Sequence, residues 1–185
     1  WELLARQEAW LTGEPSKKTQ DRIGYSEAAI PTTFRTAGGR GIGMTLRELR
    51  VQVAVIADGH FANATNRCVV RLKKARKVAR LRQLLEDAKI GFVEREQNTP
   101  TAQGYTVFTF NAPRRDKAFD AKYWNAGERE LNVIADEVLH WDSNVGAGRR
   151  GDRFSTFARE SADFVQYAMA ATGRTARLLE AHRER

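Results

Sequence analysis

From residue 45 onward the apolar positions fall into runs whose spacing identifies the elements. Thr45 with Glu48 three residues on makes the pair of a capping box and predicts a helix over about 46–57. Leu46, Leu49, Val51, Val53, Ala54, Val55, Ile56 and Ala57 leave that helix apolar on nearly every side, the pattern of a helix buried all round, and it stops at Asp58-Gly59. The next run, Arg67 to Lys73, alternates. Cys68, Val70 and Leu72 face one way and Arg67, Val69, Arg71 and Lys73 the other, which predicts a strand with a core face and a mostly cationic face. Val78, Leu81, Leu84, Leu85 and Ala88 then fall at helical spacing over about 75–88. Gly91 to Glu96 and Tyr105 to Phe110 read as a hairpin around Asn98-Thr99-Pro100.

A third helix is expected near 115–124. A fourth, over about 127–140, carries Leu131, Ile134, Val138 and Trp141 and stops at Asp142. A polar, Gly-rich loop leads to Phe154–Phe157, and Ser161 to Ala171 predicts a helix with Phe164, Val165, Ala168 and Met169 inward. Ahead of all this, Trp1 to Leu11 reads as a short helix. The run Ala37-Gly38-Gly39-Arg40-Gly41-Ile42-Gly43 reads as a linker, since glycine is costly inside a regular element. The order helix, strand, strand, helix, strand, strand, helix then starts again, with two buried helices that each end at an Asp. The division is residues 1–44 as extension and linker, 45–126 as a first half, and 127–185 as a second half that stops before its last strand pair. The expected class is α+β.

Charge adds a partner to this picture. Lys and Arg number 31 against 23 Asp and Glu, a net charge of +8, which favours a polyanion such as nucleic acid or an acidic membrane surface. No apolar run is long enough for a membrane span and no signal-peptide pattern opens the chain, so a cytoplasmic protein is expected. The single cysteine, Cys68, excludes an internal disulfide and a cysteine-based zinc site, and reads as a small buried strand residue. His60, His140 and His182 fit no metal-ligand spacing; His60 with Asn63 and Asn66 only faintly suggests an HNH-type nuclease.

Two sets of residues carry candidate chemistry. If the helices ending at Asp58 and Asp142 pack side by side, their carboxylates come together, and two adjacent carboxylates call for a bridging cation such as Mg²⁺. Such a cation held against DNA can clamp a phosphate and activate water. The alternative is that each Asp only caps its turn. From Arg67 to Arg82 there are eight Lys or Arg and no acid: Arg67, Arg71, Lys73, Lys74, Arg76, Lys77, Arg80 and Arg82. These either contact phosphates or form a solvated helix face.

Val51 to Gly59, ending Ile56-Ala57-Asp58-Gly59, resembles the signature of the LAGLIDADG homing endonucleases. Arg67 to Val93 is similar to the segment that follows it in that family: strand, Lys73-Lys74, amphipathic helix, then Gly91-Phe92-Val93. The resemblance runs from about 45 to 175 and is strongest through 110. It implies αββαββα halves, an antiparallel saddle sheet in the DNA major groove, and signature helices whose last acids hold catalytic divalent metal. On that basis Asp58 and Asp142 match the metal-binding acids, Lys73 the polar active-site position, and Arg67 and Arg71 the groove-facing saddle positions. Lys74, Arg76 and Lys77 complete the expected DNA contacts. Departures are Val53 for a small residue, Trp141 and Ser143 for Ala and Gly in the second signature, and Asn111 at a commonly basic position. The expected function is a site-specific double-stranded DNA endonuclease dependent on Mg²⁺, encoded by itself or within an intein or phage protein. The alternatives are a non-cleaving binding protein of the same fold and a phage structural component.

Overall fold

The computed structural model describes residues 39–61, 64–99, 102–141, 154–176 and 178. The expected helix at the N-terminus, Asp142, His182 and the Gly-rich loop after Asp142 lie outside them. The described residues form a mixed α+β structure of four α-helices and one four-stranded antiparallel sheet.

Helix α1 spans Leu46–Asp58 and begins as its sequence dictates. The Glu48 amide donates to Thr45 Oγ1 at 3.2 Å and the Thr45 amide donates to Glu48 Oε2 at 2.9 Å, closing the capping box. Leu49, Val51, Gln52, Val53, Ala54, Val55 and Ile56 are all buried, so the helix is covered around its circumference. Strand β1, Gly59–Phe61, follows without a loop, and β2 spans Arg67–Leu72. A glycine is required at the junction. A Cβ on Gly59 would lie 2.6 Å from the Val55 carbonyl oxygen and 2.8 Å from Cys68 Sγ. Helix α2, Ala75–Asp87, turns into β3, Phe92–Thr99, which pairs with β4, Ala102–Asn111. The strand order is β1-β2-β4-β3.

The alternation expected in β2 is present: Cys68, Val70 and Leu72 are buried while Arg67 and Arg71 are exposed. Phe108 and Phe110 of β4 face the same core, against α1 and Leu81, Leu84 and Leu85 of α2. After β4 the sequence leads to a 3-10 turn at Ala121–Asn125, shorter than the helix expected over 115–124. Helix α3, Glu128–Glu137, packs along α1. It also differs from expectation. It ends at Glu137 and tightens into a 3-10 turn over Val138–His140, short of Asp142. The Trp141 indole donates back to Glu137 Oε1 at 3.1 Å, which folds the chain onto the helix end. Helix α4, Arg159–Ala171, packs on α3 and joins it to the 3-10 turn through Phe119, Tyr123, Trp124, Phe164 and Tyr167.

The described part of the Gly-rich run, residues 39–43, is a packed segment where a linker was expected. Ile42 is buried, its amide donates to Glu130 Oε1 at 2.9 Å, and the Gly41 amide donates to the Asn125 carbonyl at 3.0 Å. The glycines serve geometry there: Gly41 and Gly43 have φ of +84° and +73°, and a Cβ on Gly39 would strike the Asn125 carbonyl. No helix among the described residues is long and apolar enough to cross a membrane.

Candidate nucleic-acid interface

Helices α1 and α2 cover one face of the sheet. Register assigns the residues of the other. Val69 pairs with His60 on one side and Thr109 on the other, Arg71 with Val107, and Arg67 with Asn111. On β3, Val93 pairs with Thr109, Arg95 with Val107 and Gln97 with Tyr105. Directly opposed residues share a face, so His60, Arg67, Val69, Arg71, Val93, Arg95, Gln97, Tyr105, Val107, Thr109 and Asn111 stand together. Lys73 joins them, its Nζ 5.8 Å from the centre of the Tyr105 ring. Arg67, Arg71, Lys73 and Arg95 are exposed. Among the described strand residues this face carries no Asp or Glu. Glu94 and Glu96 have the opposite parity, and Glu94 meets Arg82 of α2, with Arg82 Nη2 2.5 Å from Glu94 Oε1.

The basic run therefore divides at the start of α2. Its strand part, Arg67, Arg71 and Lys73, lies on the open face, and Lys74 is exposed at the α2 N-cap. Its helical part is engaged within the fold. Arg76 Nη1 donates to the His140 carbonyl at 2.8 Å, and Lys77 Nζ lies 2.5 Å from Asp58 Oδ2 and 5.9 Å from the centre of the Trp141 ring. Arg80 donates to both Glu137 oxygens, through Nε at 3.0 Å and Nη2 at 2.5 Å. Arg50 Nη1 adds a third guanidinium contact to that fully buried carboxylate at 2.8 Å. The hydrogen bonds that Arg80 donates to Glu137 are also what hold its guanidinium above its usual pKa.

A second set of cations, not singled out by periodicity, comes from the loop after β4. Gln52, buried in α1, fixes this loop twice: its Nε2 donates to the Asp116 carbonyl at 3.2 Å and its Oε1 accepts from the Arg114 amide at 2.9 Å. Lys117 Nζ donates to the Val55 and Ile56 carbonyls at 2.7 and 2.8 Å, placing a cation at the negative end of α1. The Arg115 guanidinium sits 5.9 Å from the centre of the Phe61 ring. His60, Phe61, Arg115 and Lys117 line a cleft of about 520 Å³ beside β1, at the edge of the open face. The signal for this loop in the sequence is Gln52 itself, a polar residue in an otherwise apolar stretch, which demands buried partners.

Asp58 ends α1 as expected and is half-buried, but its Oδ2 is occupied by the Lys77 ammonium. The carboxylate that α3 contributes near its own end is Glu137, already held by two guanidiniums. Among the described residues no group of three or more His, Cys, Asp or Glu is placed to hold a metal ion. Cys68 is buried as expected, and burial pushes its thiol above the ordinary pKa.

No protein-family model, no curated protein and no solved structure matches this chain.

Proposed function

We propose that the protein binds double-stranded DNA across the open face of its sheet, as one LAGLIDADG-type half over 45–126 followed by a reduced second one. The observation that carries this reading is the segregation of charge. Arg67, Arg71, Lys73 and Arg95 share a face whose described residues include no carboxylate, while Lys77, Arg80 and Arg82 of the same run are paired with Asp58, Glu137 and Glu94. A surface selected only for solubility has no reason to sort its charges this way; a polyanion along the face does. The order of elements in α1 to β4 and the helix end at Asp58-Gly59 support the family resemblance. The cleft cations Arg115 and Lys117 extend the positive surface beyond β1.

The test is duplex binding by fluorescence anisotropy across a salt series. Each phosphate neutralised contributes a slope of about −0.9 to log K against log salt, so four contacts give about −3.6. The combined Arg67→Ala, Arg71→Ala, Arg95→Ala variant is expected to flatten the slope by about 2 to 3. Absence of duplex binding by the wild type at about 50 mM salt, where phosphate contacts count most, rejects the reading.

A second reading adds cleavage, because Asp58 passes directly into β1 beside a cleft lined by His60 and Lys117. In it Asp58 and Asp142 hold Mg²⁺ and Lys73 is the polar active-site residue. The arrangement around Asp58 does not fit a divalent cation as it stands, because Lys77 neutralises the carboxylate. Plasmid nicking with Mg²⁺, comparing wild type with Asp58→Asn and Asp142→Asn, decides the point. Equal binding by all three without nicking leaves a DNA-binding protein that does not cut.

A further inference from the structure

The middle of the open face is apolar. Val69 of β2 opposes Thr109 of β4, which opposes Val93 of β3, so three β-branched side chains stand in a row across adjacent strands. Val107 lies two residues from Thr109 on the same face, flanked by Arg71 and Arg95, which oppose it from either side. Arg67 and Asn111 bound the patch at its other end. Val93 keeps 49% of its surface exposed, while Val69, Val107 and Thr109 are half-buried by their neighbours. Strand propensity accounts for β-branched residues singly. A contiguous patch of methyl groups framed by guanidiniums, on a face whose described residues carry no acid, matches a partner that is anionic at its margins and apolar at its centre.

The major groove of B-form DNA has that character only where thymine is present. Its rims are phosphates, and the C5 methyl of thymine is the apolar group on its floor. Uracil lacks that methyl, and the deep, narrow major groove of A-form RNA does not admit side chains. We infer that the sheet reads thymine through its C5 methyl, with Val69, Val93, Val107 and the Thr109 γ-methyl as the receiving surface and Arg71 and Arg95 reaching the flanking positions. Neighbouring strands lie about 4.8 Å apart, so the two arginines are separated by about 10 Å, with the methyl groups between them. This inference rests on the DNA-binding reading and carries it from affinity to sequence choice.

The experiment selects preferred duplexes from a random pool, then compares each with the same duplex carrying deoxyuridine in place of thymidine. Wild type is expected to bind the uracil duplex about four-fold more weakly for each contacted methyl, the scale of burying one methyl group. Val93→Ser, an exposed edge-strand substitution that leaves the core untouched, is expected to shrink the ratio of thymine-duplex to uracil-duplex affinity by about four-fold, the share of one methyl contact. Equal wild-type affinity for both duplexes overturns the inference and leaves DNA binding intact. So does a thymine preference that Val93→Ser keeps in full, because the methyl would then act through DNA shape or another surface. Preference for the matching RNA also overturns it. Failure to bind any duplex removes the DNA reading together with this one.

Discussion

Glu137 makes the sharpest energetic prediction in the fold. Its carboxylate is fully buried and accepts hydrogen bonds from Arg50 of α1, Arg80 of α2 and the Trp141 indole, so one side chain of α3 ties three helices. Removing one partner of a buried ion pair costs about 3–5 kcal/mol, because the charge left behind is poorly solvated. Here the arginine side chains keep 32% and 25% of their surface, so water recovers part of that loss. The expected cost of Glu137→Gln is therefore about 2–4 kcal/mol, a large share of a typical domain stability of about 5–15 kcal/mol. With a urea m-value of about 2 kcal/mol/M, the unfolding midpoint followed by circular dichroism falls by about 1–2 M. Replacing all three charges together, Arg50→Met, Arg80→Met and Glu137→Leu, is expected to recover most of the loss, since no buried charge is then stranded. A midpoint shift below about 0.3 M for Glu137→Gln refutes the reasoning on magnitude. A triple variant less stable than Glu137→Leu alone refutes it on cause, because packing and not charge would then hold the helices.

Gly59→Ala is expected to destabilise by about 1–3 kcal/mol in the same urea assay, because the new methyl meets a backbone carbonyl that cannot move without disturbing α1. Gln52→Leu strands the Arg114 amide and the Asp116 carbonyl. It should cost about 1–3 kcal/mol and speed hydrogen exchange at residues 114–117; unchanged exchange there would show that Gln52 does not hold the loop. The Arg82 guanidinium holds the Glu94 carboxyl below its ordinary value of 4.5. A depressed folded-state pKa gives stability above the unfolded value that is lost as pH falls through the folded one. The difference between wild type and Glu94→Gln should therefore be present at about pH 6, small for so exposed a pair, and shrink as the medium is made more acidic. Cys68, buried and with its thiol pKa raised, is expected to resist a thiol reagent at neutral pH until the protein is unfolded.

What the sequence disclosed was what neighbours along the chain decide. Thr45 and Glu48 mark the start of α1, and the alternation of Arg67 to Leu72 separates core from open face, because both signals are complete within a few residues. Partners remote in sequence were not legible. Arg67 to Arg82 reads as one basic run, yet Lys77, Arg80 and Arg82 are paired by Asp58, Glu137 and Glu94. The end of α3 depended on the same kind of contact: no local signal at Glu137 stops a helix, and its guanidinium partners sit on two other helices. Gly39 to Gly43 misled in the opposite sense. Glycine that suggests freedom by composition is used there for left-handed turns and close backbone approach. Of the candidate site, Arg67, Arg71 and Lys73 came from periodicity, Arg95 required strand register, and Arg115 and Lys117 required the loop that Gln52 positions.

The packing of α3 along α1 has a consequence in mass action. A helix buried around its circumference could have been completed by a second molecule, and its stability would then have risen with protein concentration. Here a segment of the same chain supplies the cover, in contact with α1 and tied to it by Glu137 and Arg50. The closure is unimolecular, so dilution across the range where a chain-to-chain helix pair would dissociate is expected to leave the melting temperature where it was.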